Sequence, residues 1–236
     1  MALILSVFPG IGMLDMAFEA EGFCVVRGPD LLWGGDIHRF HPSAGRFDGV
    51  IGGPPCQAFS TLNNISKTHK VNLIPEFERV VYEARPAWFL MENVRMAPLP
   101  NVKGYYVHCQ LFNNRWTGSP QNRLRRLSFG SRERARLHLP TAPLESTEWK
   151  AAVTSAHGGK RRTHFNRSTG GKIQCYTVEQ ALEAQGLPAD FFKRFHIRGC
   201  LTREAQLRVI ANGVPLPMGR AIAQAVKRAI EKERAD

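Results

Sequence analysis

The first 26 residues constrain the fold more than any other stretch. Ala2 to Val7 is an apolar run of strand length, and Phe8-Pro9-Gly10-Ile11-Gly12 makes a glycine turn. Leu14, Met16, Ala17, Phe18 and Ala20 then give a helix that stops at Gly22, and Phe23 to Val26 returns as a second strand. Strand, glycine turn, helix, strand is a βαβ unit, which commits the chain to a parallel sheet of the α/β class. The pattern continues with strands over Phe47 to Ile51 and Trp88 to Met91, a helix over Pro75 to Ala84, and further strands over Tyr105 to Leu111 and Leu127 to Gly130, the last closing the sheet.

Beyond residue 130 the chain changes character. From 131 to about 175 it is basic, rich in Gly, Ser and Thr, and weakly periodic, which predicts a small loop-rich lobe. Helices resume at Thr177 to Gln185, with Thr177 as N-cap and Gly186 as stop, and at Thr202 to Ile210. Pro217 to Glu233 is apolar at 218, 221, 222, 225, 226, 229 and 230, a helical period. A chain of 236 residues that is 43% hydrophobic supports one substantial core. No apolar stretch has membrane-spanning length, and Met1 to Val7 lacks the basic flank of a signal peptide, so a cytoplasmic protein is expected. Cysteines 24, 56, 109, 175 and 200 are odd in number and scattered, with no zinc spacing, which argues against a disulfide framework and assigns no metal. Net charge is +12, and Arg115 to Lys172 holds thirteen Lys and Arg against three Glu. A basic stripe interleaved with Trp116, Trp149, His157, His164 and Phe165 suits a phosphate backbone, though a merely solvated face reads the same way.

Three features carry chemistry. Phe8-x-Gly10-x-Gly12 brings backbone close to a ligand at a helix N-terminus, and Asp30, just past the second strand, is placed for a ribose. Asp15 stands where a dinucleotide fingerprint needs its third glycine, so a nucleoside cofactor without pyrophosphate, S-adenosylmethionine, fits better than NAD. Gly52-Gly53-Pro54-Pro55-Cys56-Gln57 follows an apolar strand, and its two prolines stiffen the loop that presents a thiol. Taken alone, that thiol is as readily inert as nucleophilic. Glu92 ends another strand, where a lone Glu is by default a capping or surface acid.

In order along the chain, Phe8-Pro9-Gly10-Ile11-Gly12, Gly53-Pro54-Pro55-Cys56-Gln57, Glu92-Asn93-Val94, Gln121-Asn122-Arg123-Leu124-Arg125, Gln185-Gly186-Leu187-Pro188 and Asn212-Gly213-Val214-Pro215 resemble motifs I, IV, VI, VIII, IX and X of the cytosine-C5 DNA methyltransferase family. The resemblance implies a Rossmann-like, class I S-adenosylmethionine-dependent fold. Residues 1–130 and 202–236 would form the catalytic domain and 131–201 a small target-recognition domain. It implies Cys56 as nucleophile at cytosine C6, Arg123 on O2, Arg125 ordering the site, and Gln57 in the catalytic loop; Glu92, if burial raises its pKa, can donate a proton or strong hydrogen bond to N3. The base would leave the duplex stack to react. No residue is identifiable as the base for the C5 proton, and water serves. The cofactor would lie among Phe8, Gly10, Ile11, Gly12, Asp30, Asp36, Ile37, Pro54, Asn212 and Val214. Gln121, Lys160, Arg161, Arg162 and Arg167 are DNA-contact candidates.

The chain departs from the family pattern in places. Asp30 replaces a longer Glu, Met13 stands where a further Gly is common, and Leu31-Leu32-Trp33-Gly34-Gly35 is too short for the usual helix. The specificity insert shrinks to roughly residues 131–150, surface for a target of ~2–4 base pairs. Compactness points to a monomeric bacterial or phage enzyme acting on double-stranded DNA, of the restriction-modification type. Two alternatives are an RNA (tRNA) cytosine methyltransferase, against which stands the missing Cys-Phe-Thr motif, and a catalytically weak DNA-binding protein on the same fold.

Overall fold

A computed structural model describes residues 1–55, 71–140, 148–154, 163–166, 171–174, 176–194 and 201–235. Strand β1 (Leu3–Val7), helix α1 (Met13–Ala20) and strand β2 (Cys24–Arg27) form the expected βαβ unit. Strand β3 (Gly49–Gly52), helix α2 (Ile74–Ala84) and strand β4 (Trp88–Asn93) form a second. Strands β5 (Tyr106–Asn113) and β6 (Leu124–Ser131) complete a six-stranded sheet of order β2-β1-β3-β4-β6-β5. The first four strands are parallel. β6 runs antiparallel to both β4 and β5, so the last strand of the sheet inserts between them and leaves β5 at the edge. Hydrophobic runs identify strands but not their neighbours, which is why the sequence placed β6 last.

Both faces of the sheet are covered, as a parallel sheet requires. Alternation sorts the strand residues. Leu5, Val7, Val50, Phe89 and Met91 pack on Phe77, Val80, Val81 and Ala84 of α2. Ile4, Ile51, Trp88, Leu90, Leu127 and Phe129 face Leu14 and Phe18 of α1 and Met218, Ile222, Val226 and Ile230 of the last helix. Helices α3 (Val178–Ala184), α4 (Phe191–Arg194), α5 (Arg203–Asn212) and α6 (Leu216–Ala235) follow in the C-terminal part. The Thr177 side chain accepts from the Gln180 amide while the Gln180 side chain accepts from the Thr177 amide, a reciprocal cap, and Gly186 ends the turn at φ 76°. Thr202 caps α5 through the Ala205 amide.

Residues 176–194 pack against the glycine turn after β1, α1 and α5. Val178, Leu182, Leu187 and Phe191 share a cluster with Ile11, Met13, Leu207 and Ile210. Likewise Leu137 and Leu139 belong to the central core, where the Gln110 side chain exchanges two hydrogen bonds with the Leu139 backbone. Two short strand pairs, 121–122 with 150–151 and 163–166 with 171–174, lie outside the main sheet. Among the described residues no helix is long and apolar enough to cross a membrane, and no cluster of His, Cys, Asp and Glu could hold a metal.

Candidate active site

Strand order reverses between β1 and β3, because the chain steps from β1 outward to β2 and then returns to the other side of β1. Ligands of open α/β sheets bind at the carboxyl ends of strands beside such a reversal. Residues 8–12 and 53–55 leave the sheet at that place.

The first loop is held in an unusual shape. Phe8, Gly10 and Gly12 all have positive φ, at 57°, 56° and 77°. A side chain at Gly12 would run into the Arg27 guanidinium at 2.8 Å. Beneath this loop Asp15 is fully buried; its carboxylate accepts from the Ser6 hydroxyl at 2.5 Å and lies 3.1 Å from Arg27 Nε. Burial raises the Asp15 pKa, with Ser6 and Arg27 opposing the shift. Asp30 binds the loop from the side. Its Oδ2 accepts from the Gly10 amide at 2.8 Å and its Oδ1 from the Leu32 amide at 2.8 Å, starting a single 3-10 turn over Leu31–Trp33. That turn stands where the sequence left no room for a helix. Trp33 donates its indole N–H to the Gly10 carbonyl at 2.7 Å and yet is 57% exposed, a large aromatic surface beside the glycine loop.

Asp36 caps the next 3-10 turn through the His38 amide at 3.0 Å. Arg79 of α2 pins this stretch by donating to the carbonyls of Ile37 and Phe40 at 2.7 and 3.0 Å. Glu76 and Glu83 hold the guanidinium in place.

The second loop meets the end of β4. Glu92 and Asn93 are buried polar residues on an otherwise apolar strand. Asn93 donates to the Pro54 carbonyl at 3.2 Å, fixing the Pro-Pro turn. Glu92 lies over Gly53, where an added Cβ would come within 3.3 Å of Oε2. Arg125 of β6 brings Nε to 2.9 Å from Glu92 Oε1, pairing the charges without the alignment of a hydrogen bond.

Arg123 goes elsewhere. It is 3% exposed and donates to the carbonyls of Val153 at 3.3 Å, Ala211 at 2.9 Å and Gly213 at 3.0 Å. It ties the start of β6 to the end of α5.

A model of the C-5 cytosine-specific DNA methylase family matches residues 34–160, more than half of the chain. The chain belongs to that family. It is 33% identical over 117 residues to the Type II methyltransferase M1.HphI of Haemophilus parahaemolyticus, a segment covering 42% of this chain and 32% of that protein. Against the Type II methyltransferase M.HgiDI of Herpetosiphon aurantiacus it is 28% identical over 160 residues, covering 54% of this chain and 52% of that protein. The matches thus span a third to a half of those relatives. The solved structure of a Spodoptera frugiperda DNMT2 mutant superposes with TM-score 0.66 over 98% of this chain and all of that one at 14% identity, which establishes the Rossmann-like fold.

The structure places the residues singled out in the sequence as follows. Arg125, and not Arg123, stands at Glu92; Arg123 is enclosed among backbone carbonyls. Gln121 is fully buried and donates to the Ala184 carbonyl at 3.1 Å. Ile11, Ile37 and Val214 have side chains in the hydrophobic clusters, which leaves only their backbone for a ligand. Asn212 is exposed as the last residue of α5. Cys56, Gln57, Lys160, Arg161, Arg162 and Arg167 lie outside the described residues. The sequence reading gave no role to Trp33, Asn93 or Arg79. Of these, Trp33 had a signal: a large aromatic inside a Leu-Leu-Trp-Gly-Gly turn has no regular element in which to be buried.

Proposed function

We propose that this chain methylates C5 of cytosine in double-stranded DNA, with S-adenosylmethionine as methyl donor. The observation that carries the reading is the Glu92–Arg125 pair set over Gly53, on the turn that leads directly to Cys56, in a chain of this family. The family match supports the reaction class, and the fixed turn supports Cys56 as nucleophile, because Asn93 and Glu92 anchor the residues just before it.

The glycine loop suits a nucleoside cofactor. A Cβ at Gly10 would meet nothing within 4 Å, so the loop faces open space. Asp30 and the exposed Trp33 flank that space. Phe8, Gly10, Gly12, Asp30, Trp33 and Asp36 would hold the cofactor, with Pro54 and Asn212 at its margins. When bound, S-adenosylmethionine supplies an electrophilic methyl group.

Cytosine C5 is a weak nucleophile. Addition of the Cys56 thiolate at C6 makes C5 an enamine carbon and loads negative charge onto O2 and N3. Arg125, beside Glu92, would stabilise the charge on O2, and the Glu92 carboxyl would hydrogen-bond the N3 edge of the base. With C5 having taken the methyl group, and the donor's sulfur keeping the electron pair of the broken bond, loss of the C5 proton to water would break the Cys56–C6 bond and return the thiolate. The residues that would stabilise charge are already gathered before substrate binds, as electrostatic preorganisation requires.

Expression in a methylation-free bacterial host, followed by bisulfite sequencing of its DNA, tests the reading. Methylcytosine at one short motif is expected, absent with Cys56→Ala and reduced ~10²–10³-fold in rate with Arg125→Met. Unmodified DNA from a soluble, S-adenosylmethionine-binding wild type would overturn it, and methylcytosine found instead in the host RNA would move the substrate to RNA.

A further inference from the structure

A long irregular stretch borders the site. Residues 28–48 join β2 to β3 with only two single 3-10 turns, Leu31–Trp33 and Ile37–Arg39. The second turn lies at the carboxyl end of the strands. Gly35 packs so closely on Pro29 and Asp30 that an added Cβ would come within 2.9 Å of Pro29 Cα, and its amide donates to the Asp30 carbonyl at 3.0 Å. Asp36 therefore stands beside Asp30, which itself holds Gly10. α2 gives the same placement. β3 and β4 are parallel, so the helix between them starts at the carboxyl end of the sheet, with Glu76 and Arg79 on its first two turns.

The polar groups that hold this turn come from one face of α2. Glu76, Arg79 and Glu83 are spaced by three and four residues, so they line up along the helix. Glu76 accepts from Arg79 Nε at 2.8 Å and Glu83 from Nη1 at 2.9 Å. Fixed between them, the guanidinium points its fork at the turn. Nη2 donates to the Ile37 carbonyl at 2.7 Å and Nη1 to the Phe40 carbonyl at 3.0 Å. The same carboxylates meet the histidines that flank the turn, Glu76 with His38 at 3.3 Å and Glu83 with His41 at 3.1 Å. Bonds inside the turn are local: the Asp36 side chain and carbonyl accept from the His38 and Arg39 amides, and the Ile37 carbonyl from the Phe40 amide. Ile37 also buries its side chain against the core. Among the described residues, the hydrogen bonds that tie the backbone of 36–40 to the rest of the fold are those from Arg79.

Ion pairs along a helix surface account for a small gain in helix stability. They do not account for a guanidinium whose remaining donors serve carbonyls of another segment. The side chains of His38 and His41 are 58% and 66% exposed, so water reaches this stretch and can replace the lost donors at little cost to the fold. What Arg79 supplies is one fixed backbone path for a turn that has no regular element of its own. A turn free to sample other paths weakens a ligand's affinity by the fraction of time it is in the binding shape.

We propose that Arg79 is a positioning residue for S-adenosylmethionine: through the Ile37 and Phe40 carbonyls it fixes the Asp36–Phe40 turn as one wall of the cofactor site. It touches neither substrate nor reacting atoms, and acts only through the turn. This rests on the reading of S-adenosylmethionine as cofactor.

The test compares the full-length wild type with Arg79→Met and Arg79→Lys. If the methionine variant keeps the turn in place about one-tenth of the time, its S-adenosylmethionine Kd by calorimetry rises ~10-fold. The rate at saturating cofactor should stay within about 2-fold, because the loaded protein has the turn restored. Hydrogen exchange reads the turn without cofactor: the His38, Arg39 and Phe40 amides should exchange faster, and those of β1 should not. Lysine keeps a charge between Glu76 and Glu83 but lacks the planar fork that serves two carbonyls. Arg79→Lys is therefore expected to recover the wild-type melting temperature and to keep the raised Kd, and it carries the same test should Arg79→Met not fold. Wild-type affinity in the lysine variant overturns the proposal. So does an unchanged Kd in a methionine variant whose turn exchanges faster, or a rate that falls at saturating cofactor with Kd unchanged. A wild type that binds no S-adenosylmethionine would instead sink the cofactor reading, and exchange at the three amides then still decides whether Arg79 sets the turn.

Discussion

Arg123→Met should destabilise the protein far more than most single changes. Methionine keeps the length and apolar volume of the stem but removes the donors that serve the Val153, Ala211 and Gly213 carbonyls. Leaving a buried carbonyl without a partner costs roughly 1–3 kcal/mol. The contacts at 2.9 and 3.0 Å dominate and the one at 3.3 Å adds less, which gives a loss of about 3 kcal/mol after some relaxation. Against a total of ~5–15 kcal/mol that is a large fraction, and for a chain of this size it corresponds to a fall in Tm of ~6–12 °C. Equilibrium unfolding in urea measures it directly, with a lower midpoint and an unchanged slope. The same variant should bind S-adenosylmethionine less tightly, because the released carbonyls belong to the Ala211–Gly213 turn. A loss below ~1 kcal/mol would refute the view of Arg123 as a structural tie, and would return it to the list of arginines free to meet a base.

Three further outcomes follow from the geometry. Gly53→Ala places a methyl 3.3 Å from Glu92 Oε2; the carboxylate must shift by a few tenths of an ångström, and the methylation rate should fall ~10-fold while the melting temperature holds. Trp33→Ala removes the exposed ring beside Gly10, so the S-adenosylmethionine Kd measured by calorimetry should rise roughly 2- to 12-fold, the worth of one aromatic contact; an unchanged Kd would exclude the ring from the pocket. Asp15 has a folded-state pKa above its ordinary 3.8. Its contribution to stability is therefore fully present below that value and is lost as pH rises through the folded pKa. The Tm of wild type minus that of Asp15→Asn should decline as pH climbs from 3.8, and a flat difference would refute the shift.

What the sequence alone determined is what is decided locally. The βαβ beginning, the Thr177 and Thr202 caps, the stop at Gly186 and the apolar period of the last helix depend on neighbours within a few residues, and each appears in the structure. The loops at the ends of β1, β3 and β4 were legible for the same reason: polar and glycine residues interrupt apolar strands. Tertiary structure alone decided the order of the sheet and the division of labour between two nearby arginines. β6 enters between β4 and β5 through pairings that no local pattern encodes. Arg123 and Arg125 have the same parity, yet Arg123 sits at the break before β6, where its amide donates to the Gln121 carbonyl, while Arg125 is within the strand. A two-residue period assigns faces only inside a continuous strand. At the break the chain turns, and the direction of each guanidinium is set by carbonyls and a carboxylate that lie 30 to 90 residues away along the chain.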